Sequence, residues 1–264
     1  MNNIFNTKRF GWLLKKTLLE KPMQMIGFPG LLLTVVLILY VVIKALSGFD
    51  MAQRASFFAG LVGGSFFLAS FVFGYFSSNA SGSSFLTLPA SHFEKWLSGI
   101  LIAGVFYPIV FLIFYYSIDT TFVALYHNSL DPSNPFYKQA YASVYTFDLS
   151  GIVARNVFIM FFIYTGAMLL GSLYFNKIAI IKTAIALCVI CLLMYGTNWL
   201  FATMLFGHID EAALFYNVAI PVGKEVGFIE LPADFAKICK YVFLYVVPAS
   251  FWLLSFTRLR EKEF

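Results

Sequence analysis

Six long apolar runs are the feature of this chain that most restricts its fold. Each run approaches or exceeds the roughly 20 residues that an α-helix needs to cross a bilayer. Of the 264 residues, 60% are hydrophobic and only 12% are charged, whereas soluble domains carry about 25% charged residues. The sequence therefore predicts an all-α, polytopic membrane protein whose six transmembrane helices lie at about residues 26–46, 56–76, 96–117, 152–175, 179–205 and 239–256.

The segment before the first span has a different pattern. Apolar residues recur there at three- and four-residue spacing and basic residues fill another face, which predicts an amphipathic helix from about residue 5 to residue 21 that lies in the membrane interface. Trp12 is expected to anchor it, and the alternative is a solvated leader that only carries an orientation signal. No basic start followed by an apolar core is present, so we expect no cleavable signal peptide. The apolar residues are Phe10, Leu13, Leu14 and Leu18, and the basic ones are Lys8, Arg9, Lys15 and Lys16.

The distribution of basic residues predicts the orientation. With six spans, eleven of the 18 Lys and Arg residues fall on the flanks shared with the termini, and seven fall on the opposite, longer flanks. The positive-inside rule places the richer side in the cytoplasm. We therefore expect a single membrane domain over residues 1–264, with a cytoplasmic leader (1–25), a six-helix bundle (26–256) and a cytoplasmic tail (257–264).

The loop at residues 81–98 is predicted to lie on the same cytoplasmic side. Pro89 cannot continue a helix and pushes the preceding residue toward an extended conformation, so a short helix should end before it. Ser91 and Glu94 form the Ser-x-x-Glu pattern of a capping box, in which each side chain accepts a hydrogen bond from an unpaired backbone N–H. We expect a new, long helix to begin at Ser91.

Two longer loops are predicted on the outside. The loop at 118–151 contains a cluster of turn residues and is expected to form an irregular cap. The loop at 207–237 contains an apolar piece, 212–222, which is too short to span a bilayer. That piece is expected to be either a re-entrant or interfacial helix or an apolar patch packed on the bundle.

Within the spans, small and polar residues indicate helix contacts. Gly60 and Gly64 lie one helical turn apart, a spacing that lets two helices approach closely. Tyr195, Thr197 and Asn198 form the most polar part of the fifth span, and the sequence leaves open whether they join helices by hydrogen bonds or contact a substrate.

Motifs for several chemistries are absent. The chain has no phosphate-binding Gly-x-x-x-x-Gly-Lys-Ser/Thr loop, no Gly-x-Gly-x-x-Gly and no His-Glu-x-x-His. We therefore expect no enzymatic activity and no cofactor or metal in this chain. The net charge of +5 is expected to serve orientation and contact with anionic lipid, with no nucleic acid as partner.

Residues 88–95, Leu-Pro-Ala-Ser-His-Phe-Glu-Lys, together with the six spans and the amphipathic leader, resemble permease subunits of type 2 ATP-binding cassette exporters, most closely the small permeases of Bacteroidetes-type bacteria. The resemblance implies export of a hydrophobic or amphipathic substrate by alternating access, in the bacterial inner membrane with both termini cytoplasmic. It also implies a second permease copy, identical or different, and a separate ATPase subunit that binds ATP and Mg²⁺. The coupling contact with that ATPase would fall on Ser84, Phe85, Leu86, Thr87, Leu88, Pro89, Ser91, His92 and Glu94.

Within that segment, Phe85 and Leu88 share one face of a short helix. We expect them to insert into the ATPase partner; the alternative is that this face packs on lipid headgroups or on the protein's own bundle. A non-transporting membrane scaffold or sensor is the competing function, because it would show the same spans without an ATPase partner.

Overall fold

Six helices long and apolar enough to cross a membrane dominate the fold. The computed structural model of the chain describes residues 5–175, 177–213, 217–222, 225–230 and 232–262. The predicted number of spans is confirmed, as in a multi-pass membrane protein. The spans are Met23–Ser47, Phe49–Val72, His92–Ser129, Ile152–Tyr174, Ala179–Phe206 and Asp234–Arg260.

Four of these spans contain a short π-helical turn within one continuous helix. The turns are Met23–Gly27, Ala59–Gly63, Leu101–Phe106 and Val242–Val246, and a 3-10 turn, Gly74–Ser77, follows the second span. The α-helices are α1 (Thr7–Glu20), α2 (Phe28–Ser47), α3 (Phe49–Phe58), α4 (Gly64–Val72), α5 (Asn79–Leu86), α6 (His92–Ile100), α7 (Tyr107–Ser129), α8 (Tyr137–Ser143), α9 (Ile152–Tyr174), α10 (Ala179–Phe206), α11 (Ala233–Tyr241) and α12 (Val247–Arg260).

The second and fourth spans form the centre of the bundle. Their apolar segments are 61% and 56% buried, whereas those of the first, fifth and sixth spans are 11%, 6% and 11% buried. The small residues of the second span explain its position, because a Cβ on Gly60 would collide with Phe111 and one on Gly64 with Tyr107. The predicted role of these glycines in helix contact is confirmed. The outer spans present their apolar side chains to the surroundings, as helices in lipid do.

The sixth span is attached to the fourth by Trp252. Its indole fills the space left by Gly166 and Gly104, where a Cβ would lie 2.5 Å and 2.7 Å from the ring. Its Nε1–H donates a hydrogen bond to the Phe162 carbonyl at 2.9 Å. A large aromatic ring against two glycines thus fixes α12 to α9.

The loop predicted at 118–151 is largely helical. α7 continues to Ser129, twelve residues beyond the predicted end of the third span, and α8 occupies Tyr137–Ser143. Residues 118–130 contain no Gly or Pro, so no helix breaker ends the helix before Asp131 and Pro132. The prediction of an irregular cap is therefore wrong for the end of α7 and for α8.

The described part of the segment 212–222 forms strands, so the helical alternative for this segment is wrong, while the six long helices remain consistent with an all-α polytopic protein. β1 (Glu211–Ala212), β2 (Asn217–Val222) and β3 (Glu225–Glu230) form an antiparallel sheet in the order β1-β2-β3. Ile220 pairs with Gly227 in its register. Pro221 rules out a continuous helix here, and β-branched residues at alternate positions of β2 favour a strand.

Candidate functional site

The end of α5, the turn that follows it and the start of α6 hold the residues that the sequence singled out for contact outside the bundle. α5 ends at Leu86 and α6 begins at His92. The Ser91 hydroxyl accepts a hydrogen bond from the Glu94 N–H (3.1 Å), and a Glu94 carboxylate oxygen accepts one from the Ser91 N–H (2.8 Å). The predicted capping box is confirmed, and it fixes the residue at which the third span starts.

The Glu94 carboxylate also binds the start of α1. Arg9 donates from Nε to Oε2 and from Nη2 to Oε1, both at 2.8 Å, and the Asn6 N–H donates to Oε1 at 2.8 Å. Glu94 is fully buried, with 0% exposure. A buried carboxylate is tolerated only when it is paired and hydrogen-bonded, and the bidentate guanidinium meets both needs. Glu94 thereby joins α1 to the third span.

Lys95, the next residue of α6, binds α5. Its Nζ donates a hydrogen bond to the Leu86 carbonyl at 2.7 Å, and it lies 5.7 Å from the centroid of the Phe85 ring. Only 2% of Lys95 is exposed. The last carbonyls of a helix lack partners within the helix and favour a cation, so Lys95 stabilises the end of α5. Adjacent residues of one helix thus hold α1 and α5.

Aromatic packing completes this junction. Phe85 stacks on Tyr75 with ring centroids 4.7 Å apart and meets Phe76 edge-on at 5.8 Å. The Tyr75 hydroxyl donates to the Glu20 carboxylate at 3.1 Å, and burial, together with that carboxylate, raises the pKa of Tyr75. Phe85 therefore lies between the end of α1 and the start of the third span. We call the assembly of α1, α5 and the first turn of α6 the Glu94 junction.

The expectation that Phe85 projects from the protein is wrong. Its side chain is 4% exposed and belongs to the core, and Leu86 and Leu88 are partly buried against the same core. These apolar residues pack on the protein's own bundle, which was the alternative. The reason lies in Tyr75 and Phe76, which follow the second span and offer Phe85 an aromatic site.

The outer surface of the segment is polar instead. Ser84, Thr87, Pro89 and His92 are exposed, whereas Ser91 is partly exposed. The Thr87 hydroxyl is turned back to its own helix, where it donates to the Ser84 carbonyl at 3.1 Å. A partner that contacts this segment would meet a small polar surface on a rigid base.

The Glu94 junction is attached to the sixth span. Trp96 donates from Nε1 to the Ser255 hydroxyl at 2.9 Å and lies within 3.2 Å of the Trp252 carbonyl. Near the end of the same span, the Arg258 guanidinium lies 4.5 Å from the centroid of the Tyr174 ring of α9. The third span is therefore bonded to the sixth span just after the junction, and the sixth span in turn contacts the fourth.

A lateral apolar groove lies between the fifth span and the second span, beside the contact of the fifth span with α9. One part, of about 530 Å³, lies between the second span and α10. A second part, of about 420 Å³, lies nearer the start of α10, and Phe67 lines both. The first part is lined by Phe58, Ala59, Val62, Gly63, Phe66, Phe67, Tyr164, Ala184, Leu187, Cys188 and Cys191. A groove of this size and composition suits an acyl chain or another apolar group.

Among the described residues, Tyr195, Thr197 and Asn198 of α10 form no hydrogen bond to another span. Tyr195 is 50% exposed, and the Thr197 hydroxyl donates to the Leu193 carbonyl of its own helix at 2.8 Å. Asn198 contacts the Ala212 carbonyl of β1 at 3.5 Å. The proposed hydrogen bonds between spans are not formed by these side chains, and none of the three lines the groove.

A second buried carboxylate, Asp119, lies toward the other end of the third span. Its Oδ1 accepts from the Tyr40 hydroxyl and from Gln53 Nε2, each at 2.8 Å. Its Oδ2 accepts from the Phe147 N–H at 2.7 Å. Asp119 is 2% exposed, and these donors come from α2, α3 and the chain after α8. We call this group the Asp119 junction.

Neighbouring bonds extend the Asp119 junction. Gln53 Nε2 also donates to the Tyr145 carbonyl at 2.8 Å, and the Tyr115 hydroxyl donates to the Gln53 carbonyl at 2.8 Å. Sequence analysis missed this junction because Asp119 was assigned to a loop. The available signal was Tyr115, which lies four residues before Asp119 and therefore on the same helical face.

Among the described residues, no group of three or more His, Cys, Asp or Glu side chains is placed to hold a metal ion. The chain matches no protein-family model, no curated protein and no solved structure.

Proposed function

We propose that the chain is the transmembrane permease subunit of an ATP-binding cassette exporter, in which a separate ATPase subunit binds ATP and Mg²⁺. The observation that carries the proposal is the Glu94 junction. A short helix precedes the capping box that starts the third span, and Lys95 and Phe85 hold this helix against the bundle. Force applied to its outer surface would therefore move spans rather than bend a loop.

The surface that faces the ATPase subunit is polar in this proposal. Ser84, Thr87 and His92 are exposed, whereas Phe85 is buried against Tyr75 of the protein's own bundle. Contact with the partner then depends on shape and hydrogen bonds, and the apolar residues give the helix its rigidity. This replaces the apolar insertion that the sequence suggested, while it keeps the same segment as the contact.

The proposed substrate is hydrophobic or amphipathic. The lateral groove is open between α10 and the second span, on faces that meet lipid if the spans cross a membrane, so a molecule dissolved in the bilayer could enter it sideways. The proposed oligomer contains two permease copies, and the proposed location is the bacterial inner membrane with both termini in the cytoplasm.

Purification of the tagged chain from its native membrane in mild detergent tests the proposal. We expect an ATPase subunit to co-purify in stoichiometric amount, with vanadate-sensitive hydrolysis that the isolated chain lacks. Recovery of the chain without an ATPase, under conditions that keep it folded, would contradict the permease assignment and favour a scaffold or sensor.

A further inference from the structure

A small notch between α1 and the turn before α6 combines basic and apolar walls. It has a volume of about 190 Å³ and is lined by Arg9, Trp12, Leu13, Lys16, Leu88, Pro89 and Ala90. The four α1 residues occupy positions i, i+3, i+4 and i+7, which share one face of that helix. The other wall is the turn that the capping box holds in place.

The charge of the notch favours an anion. α1 contains Lys8, Arg9, Lys15 and Lys16, and its one acidic residue is Glu20 at the last position. The Lys16 Nζ lies 3.9 Å from the Glu20 carboxylate, with 41% of its side chain exposed, so this ion pair is long and solvated. The Arg9 side chain is 35% exposed and held in a fixed orientation by Glu94. Lys16 is therefore the cation best able to turn toward a bound anion.

The surroundings of the notch favour a lipid headgroup over a soluble anion. Trp12 is 73% exposed and Leu19, seven residues later on the same side of α1, is 54% exposed. Large exposed apolar side chains beside lysines are typical of helices that lie on an anionic membrane surface. Because Glu94 ties α1 to the start of the third span, the notch lies at the level where that span begins, which is where headgroups and tryptophan side chains meet.

We propose that this notch binds the phosphate of an anionic phospholipid headgroup, with Lys16 as its main cation and the Trp12 indole beside the acyl chains. The site does not depend on transport, and it would hold α1 against the membrane whatever the partner of the chain.

The test is lipid titration of the full-length protein in detergent, with bound phosphatidylglycerol counted by native mass spectrometry. Lys16→Gln should weaken phosphatidylglycerol binding about fivefold, the effect of one basic side chain at an anionic surface. Lys8→Gln is the matched control, because Lys8 carries the same charge on the same helix but does not line the notch. We expect less than a twofold change for Lys8→Gln and near-normal binding for Lys16→Arg.

Two results would overturn the proposal. Equal weakening of phosphatidylglycerol binding by Lys16→Gln and Lys8→Gln would show that the lipid responds to the total charge of α1 and not to a site in the notch. Displacement of the lipid by millimolar inorganic phosphate would show that the notch recognises a free anion. Thermal stability of each variant in the same detergent checks folding, and Lys16→Arg keeps the test valid if Lys16→Gln proves unstable.

Discussion

The Glu94 and Asp119 junctions are two buried carboxylates, near the two ends of the third span, that join helices by different means. Glu94 has a cationic partner, Arg9, with a bidentate ion pair and two backbone N–H donors around it. Asp119 accepts from a phenol, an amide and a backbone N–H. The first arrangement resists separation, because the buried Glu94 carboxylate would be costly without its guanidinium partner. The second is built from hydrogen bonds to neutral donors on α2, α3 and the chain after α8.

This difference suggests which end of the third span changes its contacts with neighbouring elements more readily. At the Asp119 junction each attached element can leave by breaking one or two hydrogen bonds, whereas α1 can leave Glu94 only by breaking a charge pair. In a permease that alternates between two open states, we expect the Asp119 end to change its contacts and the Glu94 junction to move as a unit.

The largest effect is expected for Glu94→Gln. Glutamine can still close the capping box, but it removes the charge that pairs with Arg9 and turns an N–H₂ group toward backbone or guanidinium donors. The free energy of unfolding should fall by about 3 kcal/mol, the upper end for charge-assisted hydrogen bonds. The measurement is unfolding by sodium dodecyl sulfate in mixed micelles. Asp234→Asn is the control, because the Asp234 side chain is exposed and its pair with Lys237 is long and lies outside the junction. Equal losses for the two variants would remove the distinction on which the comparison rests.

A smaller loss is expected for Asp119→Asn. The variant keeps one oxygen as acceptor, and its N–H₂ group faces at least one of the three donors. The unfolding free energy should therefore fall by about 1–3 kcal/mol. Asp131→Asn serves as control at an exposed turn, where the carboxylate accepts hydrogen bonds from the Ser133 N–H and hydroxyl. A loss for Asp119→Asn as large as that for Glu94→Gln would mean that both junctions are equally rigid.

The smallest effect is expected for Lys95→Met, and it is local. The apolar stem of the side chain remains, but the Leu86 carbonyl loses its donor, at a cost of about 1 kcal/mol. Amide hydrogen exchange should accelerate in α5 and stay unchanged in α10. Lys15→Met, an exposed change on α1, is the control. Unchanged exchange in α5 would show that Phe85 alone holds that helix.

Local signals predicted much of this structure. The six spans followed from apolar length, and the start of α6 followed from Ser91 and Glu94, because both depend on residues close in sequence. The Arg9–Glu94 pair joins residues 85 apart, and no local pattern selects Arg9 from the other cations of α1. The same limit explains Phe85: its spacing from Leu88 defines a face, but only the position of Tyr75 decides whether that face points inward.

The two remaining errors also have a physical origin. The apolar run ends near Ser117, which places Asp119 in a predicted loop, whereas its hydrogen bonds allow α7 to continue past a buried carboxyl group. The segment 212–222 was judged by its apolar content, and its pairing with β3 is a contact that composition does not encode.

The central claim is that the polar outer surface of α5 transmits the work of an ATPase to the spans. The most direct measurement compares Ser84→Arg with Ser143→Arg in the purified complex of permease and ATPase, by ATP hydrolysis and by substrate transport in proteoliposomes. Both serines are exposed, one on α5 and one on α8 beyond the Asp119 end of the third span.

We predict that Ser84→Arg lowers the transport rate at least tenfold while the permease stays folded, because a change of about 1.4 kcal/mol at the contact corresponds to a factor of ten. The transport rate of Ser143→Arg should stay within twofold of that of the unmodified protein. Equal transport by the two variants would contradict the account.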